Sequence, residues 1–151
     1  MFKEYNEYQS IKKAYGTRTS KRSGVPLMNH IDEGLIILDQ IGASILAKRA
    51  YCLHPLYQDD EDLLVNLSPD LMSHFNAYIV ALAIEYRSIA NNFLSENIEL
   101  IKLSDEIRLS PIKDVNMMLI ADKVQNRKDF ELYHQGTHTL SNELDVYLNC
   151  G

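Results

Sequence analysis

The segment that decides the fold is residues 70–94, which read DLMSHFNAYIVALAIEYRSIANNFL. At its start, Ser68-Pro69-Asp70 combine an N-cap residue, a proline suited to the first helical turn and an acid at the positive end of a helix. Most residues that follow are apolar, so the segment predicts a helix over 70–94, the longest in the chain. Three of its aromatic residues are interpreted as core rather than as a base-stacking platform: Phe75, Tyr78 and Tyr86.

Helical periodicity continues on both sides of this segment, where apolar residues recur three or four positions apart. Gly16 and Gly42 mark helix ends, and Pro55 marks another because the residue before a proline is pushed out of the helical region. Strand signals are nearly absent, so the predicted fold class is all-α. The predicted helices span about 5–15, 31–41, 44–54, 98–103 and 140–148, with another that opens at Pro111 and a polar loop over 17–26.

The length and composition of the chain are those of a single globular domain. Its 151 residues can bury a sizeable core, and 46% hydrophobic with 24% charged residues lies close to the average for globular proteins. No repeat, low-complexity tract or Gly/Ser-rich linker interrupts the chain. Residues 1–151 are therefore expected to form one domain.

Charge is unevenly distributed along the chain. The net charge of −6 argues against a protein that coats long nucleic acids. Residues 1–30 nevertheless hold six basic against two acidic residues, a balance of +4, which leaves −10 for the remainder. This basic segment suits a small anionic ligand, although composition alone favours a solvated basic loop.

Membrane and secretory signals are lacking. The longest apolar run, near residues 78–84, is too short to cross a bilayer, and the N-terminus has no charged-then-apolar signal layout. Cys52 and Cys150 have no spacing that suggests a zinc knuckle or a disulfide scaffold. No membrane partner is expected, and a reducing cytoplasm is the expected location.

Three segments carry polar side chains suited to chemistry. The first is a basic turn that leads to His30, the second places His54 at a helix end before a run of acids, and the third places Asp122 within an apolar helix. Asn126 lies one turn after Asp122 on the same helix face. An aspartate among apolar neighbours is costly to bury without a cation or a hydrogen-bond donor.

Each of these residues also has a structural explanation when it is taken alone. His30 can be a partly buried histidine near a helix start, and His54 can satisfy the last carbonyls of its helix. Asp122 can pair with Arg127. The order and spacing of the three segments together favour a shared site.

That order resembles the HD superfamily, and most closely the hydrolase domain of the RelA/SpoT-type (p)ppGpp pyrophosphohydrolases and their small animal relatives. In that family a first histidine follows an Arg-Lys-Ser-Gly-x-Pro-Tyr turn, and this chain has Lys21-Arg22-Ser23-Gly24-Val25-Pro26-Leu27 before His30. The family continues with Leu-His-Asp-x-x-Glu-Asp, where this chain has Leu53-His54-Pro55-Leu56-Tyr57-Gln58-Asp59. It ends with Ala-Asp-Lys-x-x-Asn, which residues 121–126 match. The resemblance covers about residues 5–130 and implies a helical bundle like that of HD domains.

The resemblance also implies a divalent metal centre and a bound nucleotide. The two histidines and the distal aspartate of the family are metal ligands, and its asparagine and basic turn contact the nucleotide. Carried over residue by residue, the implied metal ligands are His30, His54 and Asp122, and the implied nucleotide-binding residues are Lys21, Arg22 and Asn126.

This chain departs from the family at positions that matter for catalysis. Pro55 replaces the aspartate of the HD pair, a metal ligand, and a proline side chain has no ligand atom. Gln58 replaces the glutamate of the catalytic pair, whereas Asp59 keeps the acid beside it, so these two residues occupy the catalytic positions. Leu27 and Ile31 replace a tyrosine and a proline. The implied metal, which is manganese, iron or zinc, is therefore expected to be weakly bound or absent.

Three functions follow from these matches and departures. The favoured prediction is a degenerate HD-domain protein that binds a phosphorylated nucleotide or nucleotide second messenger with little or no hydrolysis, as a sensor or a sponge. The alternative is an active metal-dependent nucleotide phosphohydrolase or pyrophosphohydrolase with a shifted ligand set, which recruits Asp59 or Asp60. A third is an interaction module that keeps only the helical scaffold. The predicted partner is a small phosphorylated nucleotide, long nucleic acids are not expected, and a homo-oligomer is compatible with the sequence.

Overall fold

The computed structural model describes residues 2–20, 24–58, 74–95 and 110–129. These residues form five α-helices and two short 3-10 helices, and they contain no strand. The predicted all-α class is confirmed. The α-helices are α1 (Asn6–Tyr15), α2 (Met28–Gln40), α3 (Ile45–Leu53), α4 (Ala77–Ser95) and α5 (Lys113–Asp129), and the 3-10 helices are Phe2–Glu4 and His54–Tyr57.

The loop between α1 and α2 is held at its two ends. Gly16, with φ of 57°, ends α1 as predicted, and its N–H donates to the carbonyl of Lys12 at 2.8 Å. An isolated bridge joins Thr19 to Pro26, and the N–H of Leu27 donates to the carbonyl of Arg18 at 3.0 Å. These bonds hold Arg18 and Thr19 beside the residues that lead into α2.

Helical conformation continues past His54, the residue at which the third helix was predicted to end. Ser44 caps α3, because its Oγ accepts the N–H of Ala47 at 3.0 Å. The α-helix ends at Leu53, and the chain goes on as the 3-10 helix His54–Tyr57 instead of leaving the helical region. Proline is accepted there because it lies in the first turn, where a backbone N–H has no helical partner to lose.

The long helix α4 begins later than predicted. Residues 74–76 form a turn and a bend, and the first helical residue is Ala77. Asn76 sets this start, since its Oδ1 accepts the N–H of Tyr78 at 2.8 Å and so satisfies a donor of the first turn. The predicted start at residue 70 is therefore wrong. The cap signature before residue 70 lies outside the described residues, as do the predicted helices 98–103 and 140–148.

One face of α4 is buried, and it includes Tyr86 but not Tyr78. Tyr78 is 47% exposed because it lies beside that face, so its assignment to the core was wrong. Phe75 packs against the core and is partly buried. Among the described helices, none has both the length and the apolar character needed to cross a membrane. The buried face comprises Ile79, Val80, Leu82, Ala83, Tyr86 and Ala90.

Helix α5 also begins slightly later than predicted, at Lys113 rather than at Pro111. Ser110 organises this start, because its Oγ accepts the N–H of Ile112 at 3.1 Å. The Asn116 side chain accepts the N–H of Ser110 at 2.9 Å and donates to its carbonyl at 2.8 Å. These bonds satisfy backbone groups that precede the first helical turn.

Helix α3 lies at the centre of the described bundle. It packs against α1, α2, α4 and α5, while α2 packs mainly on α5. Exposed polar pairs, such as Lys128 with Glu33 at 2.6 Å, contribute only about 0–1 kcal/mol each. A fully buried leucine or isoleucine contributes about 1.5–3 kcal/mol, so apolar burial holds the helices together. Since α3 packs against α2, α5 and the 3-10 helix His54–Tyr57, buried side chains from these elements meet beside it.

Candidate metal centre

Three side chains from distant parts of the sequence meet in this region. His30 comes from the first turn of α2, His54 from the 3-10 helix after α3, and Asp122 from the middle of α5. The Nε2 atom of His30 lies 3.2 Å from Nε2 of His54 and 3.1 Å from Oδ1 of Asp122. The candidate ligand atoms of all three residues lie within 4.8 Å of one another. The structure thus brings the three predicted metal ligands together.

Both histidines are oriented by hydrogen bonds at Nδ1, the ring nitrogen that faces away from the centre. Nδ1 of His30 lies 2.5 Å from Oε1 of Gln125, and Nδ1 of His54 lies 2.5 Å from the main-chain carbonyl oxygen of Tyr51. Since both partners are acceptors, each imidazole must carry a proton on Nδ1 to bond them. With Nε2 unprotonated, the lone pairs of the two histidines point at each other across the centre, which is the arrangement typical of metal-bound histidine. Without a metal, a proton on Nε2 of His30 is donated to Oδ1 of Asp122.

Asp122 completes the set of acceptors. Its Oδ2 accepts the hydroxyl of Tyr86 at 2.5 Å, which leaves Oδ1 directed toward His30. Burial by itself would raise the pKa of Asp122, but the hydrogen bond and charge of His30, followed by the charge of His54, lower it below its ordinary value. The carboxylate is therefore ionised at neutral pH.

The centre can hold a divalent metal ion. Two imidazole lone pairs and a carboxylate oxygen converge, and acceptors that face one another in a partly buried site are favourable only when a cation or proton lies among them. His54 is 2% exposed, whereas the side chains of His30 and Asp122 are 21% and 13% exposed. The centre is thus closed on the His54 side and reachable from solvent on the other.

His54 is enclosed by aromatic rings. The ring of Tyr51 lies 4.6 Å from it, and that of Tyr86 lies 4.9 Å away in an edge-to-face arrangement. Burial, and then the charge of neighbouring His30, lower the pKa of His54 from 6.5 to about 4. Below neutral pH this imidazole therefore remains an uncharged ligand when an exposed histidine would already be protonated.

The depressed pKa of His54 predicts that the metal-free protein loses stability in mild acid. The unfolded chain takes up a proton near pH 6.5, whereas the folded protein does so only near pH 4. Stability therefore falls as the pH drops through that window, by on the order of 3 kcal/mol. Urea unfolding in the presence of a chelator, at pH values from 7 to 4, measures the slope. His54→Gln should flatten it and His74→Gln should not; equal slopes in both variants would assign the effect to other groups.

Of the other predicted site residues, Asn126 and Gln58 lie in the described part of the chain. Asn126 is partly buried one turn beyond Asp122, and Gln58 is exposed directly after the 3-10 helix. Pro55 is buried inside that 3-10 helix, next to His54. Lys21, Arg22 and Asp59, together with Asp60, lie outside the described residues.

Three residues at the centre were not identified as such from the sequence: Tyr51, Tyr86 and Gln125. Tyr51 precedes His54 by three positions and Gln125 follows Asp122 by three, so one-turn helical spacing could have indicated both. Tyr86 was assigned to the core, and its contact with Asp122 joins residues 36 positions apart. No local pattern indicates such a contact.

In comparisons with known proteins, no family model, curated protein or solved structure matches this chain. The function of the centre is therefore inferred from its metal-donor atoms. This donor set consists of two imidazole nitrogens and one carboxylate oxygen, held by Gln125, Tyr51 and Tyr86.

Proposed function

We propose that the protein binds a divalent metal ion through His30, His54 and Asp122 and uses this centre to hold a small phosphorylated nucleotide, with little or no hydrolysis. One observation carries the proposal: both Nε2 atoms and Oδ1 converge within 4.8 Å while a separate hydrogen bond fixes each side chain from behind. Outer partners of this kind are what distinguish a metal site from a chance cluster of polar residues.

The donor set favours zinc or iron over manganese. Imidazole suits zinc and iron, whereas manganese prefers sites richer in carboxylate and water. Two histidines with one carboxylate are found at catalytic zinc sites and at non-haem iron sites, both of which keep an open coordination position. When bound, such an ion supplies positive charge to offset that of a phosphate group and polarises its oxygen.

The nucleotide part of the proposal is supported by the resemblance to HD-type hydrolases and by the hydrogen bonds of the residues that flank Lys21 and Arg22 in the sequence. The N–H of His30 donates to the carbonyl of Leu27 at 3.2 Å, and the N–H of Leu27 donates to the carbonyl of Arg18 at 3.0 Å. These bonds connect the described residues on either side of Lys21 and Arg22 to the first turn of α2, which carries His30. Asn126, one turn beyond Asp122, is the third residue that we propose for nucleotide contact.

Weak hydrolysis is proposed because two carboxylates of the family pattern are missing. Pro55 stands in the place of a ligand carboxylate and has no oxygen in its side chain. Gln58 stands in the place of a glutamate, and its neutral amide cannot take up the proton of an attacking water. Asp59 keeps the neighbouring acid in the sequence.

The open coordination position favours a second candidate function, an active phosphohydrolase. Three protein ligands and one open position for water are what catalytic zinc sites share, whereas structural zinc sites are closed by four. The exposure of His30 and Asp122 gives water access to this position. Under this alternative the metal is retained in order to activate that water.

Metal content and a nucleotide panel test the proposal together. We expect one metal ion per chain by mass spectrometry, and a rise in melting temperature with a phosphorylated nucleotide that a chelator abolishes. A ligand at 100 times its Kd stabilises the folded state by about 2.7 kcal/mol. The matching nucleosides, which lack phosphate, are the control and should have no effect.

The same samples separate the candidate functions. Metal-dependent phosphate release at many turnovers would establish the hydrolase in place of the binding protein. A metal-free protein that no nucleotide stabilises would refute both, and would leave an interaction module built on the helical scaffold as the surviving function.

A further inference from the structure

Tyr51 contacts both histidines of the candidate metal centre through two different atoms. Its hydroxyl donates to the main-chain carbonyl of His30 at 3.1 Å and lies 3.4 Å from Nε2 of the same residue. Its own main-chain carbonyl accepts Nδ1 of His54 at 2.5 Å. The side chain is completely buried, so it joins α2 and α3 at the point where each presents a ligand.

Gly34 makes room for the phenol of Tyr51. It lies in the interior of α2, one turn after His30, where glycine is destabilising relative to alanine. A Cβ added at this position would overlap both the ring and the oxygen of Tyr51. The space left by the missing side chain is therefore filled by the group that reaches His30.

We propose that Tyr51 is the positioning residue of this centre and that Gly34 is the position that admits it. The main-chain carbonyl of Tyr51 fixes the Nδ1–H form of His54, and its hydroxyl fixes the turn of α2 that carries His30. One residue thus sets the distance between the two Nε2 atoms, through its main chain on one side and its hydroxyl on the other. As an account of metal binding, the inference rests on the proposed function, since it assigns Tyr51 to the preparation of that metal site.

A buried tyrosine whose hydroxyl is hydrogen-bonded is also a common structural feature. The two roles differ in what the hydroxyl controls. A purely structural hydroxyl affects the stability of the fold, whereas a positioning hydroxyl affects the geometry and affinity of the metal site at equal stability. Tyr51→Phe separates them, because it removes the hydroxyl and keeps the ring and the main-chain carbonyl.

Cobalt(II) is the probe for the first measurement, because its visible absorption reports the coordination geometry while a titration gives the Kd. We expect Tyr51→Phe to weaken cobalt binding about 10-fold to 100-fold, as changes to outer partners of metal ligands do, and to alter the visible spectrum. Tyr8→Phe is the matched control. It removes another tyrosine hydroxyl that bonds α2, through Oδ1 of Asp32 at 2.6 Å, and it should leave both the spectrum and the Kd unchanged.

Gly34→Ala tests the same assignment without removing a polar group. The added methyl should displace the phenol, so the variant should lose cobalt affinity as Tyr51→Phe does. Cobalt binding equal to that of the parent in both Gly34→Ala and Tyr51→Phe, with the same spectrum, would overturn the inference. An equal loss in Tyr8→Phe would also overturn it, because the effect would then be a general response to a missing hydroxyl.

A metal-independent measurement distinguishes a failure of this inference from a failure of the proposed function. Nitrogen-15 NMR of the imidazoles in chelator-treated protein should show a proton on Nδ1 of both His30 and His54. Tyr51→Phe should shift the signals of His30 and leave the tautomer of His54 intact. If the parent binds no cobalt yet shows this pattern, metal binding is refuted and the positioning role stands. Unchanged His30 signals in Tyr51→Phe would refute the positioning role itself.

Discussion

Asp122→Asn is expected to abolish metal binding while the helical bundle remains folded. The substitution keeps the size of the side chain but removes the negative charge, and a neutral amide oxygen is a much weaker ligand than a carboxylate. Loss of an outer partner costs about 10-fold to 100-fold in metal affinity, so loss of a direct ligand should exceed 100-fold. Zinc competition titrations and metal analysis after dialysis measure the loss, and circular dichroism checks that the protein is folded.

The control for this variant lies on the same helix. Asp114→Asn makes the same chemical change at a residue that accepts the hydroxyl of Ser44 at 2.8 Å, away from the centre. It should retain the metal of the parent protein. If Asp122→Asn also retained a full equivalent, Asp122 would not be a ligand, and the hydrogen bond from Tyr86 would have to be interpreted as ordinary core packing.

The helical class could be predicted because periodicity and helix-end signals are local. The start of α4 could not be predicted. The helix begins at Ala77, where the Asn76 side chain accepts the N–H of Tyr78. No cap was predicted at Asn76, because one asparagine within an apolar segment is a weak signal beside a Ser-Pro-Asp run.

The convergence of His30, His54 and Asp122 was predicted from the order of three segments and their resemblance to a known family. The residues that hold these three side chains in place were not predicted. Gln125, one position before the predicted Asn126, is the residue that orients His30. Tyr86 reaches Asp122 from another helix, and such contacts depend on how α4 and α5 are packed. Sequence spacing therefore indicated the candidate ligands, whereas the atoms that orient them required coordinates.

Pro55→Asp is expected to make the stability of the protein strongly dependent on metal. Pro55 is buried beside His54, so a carboxylate placed there is costly, by several kcal/mol, when no cation is present. A bound metal would offset this cost, and the carboxylate would occupy the position of the ligand that the family pattern contains. We therefore expect a lower melting temperature than that of the parent in chelator, a larger rise on addition of zinc or manganese, and a tighter metal Kd.

Pro55→Asn separates the charge from the loss of the proline. It matches aspartate in shape, removes the same ring and restores the same backbone N–H, but it adds no charge. Both variants lose the restriction that proline places on the unfolded chain, so the difference between them isolates the carboxylate. A metal response confined to Pro55→Asp would mean that position 55 faces the centre and that the proline accounts for a weakened site. Equal responses would mean that position 55 points elsewhere, and the alignment of this segment with the HD pair would then be wrong even if His54 remains a ligand.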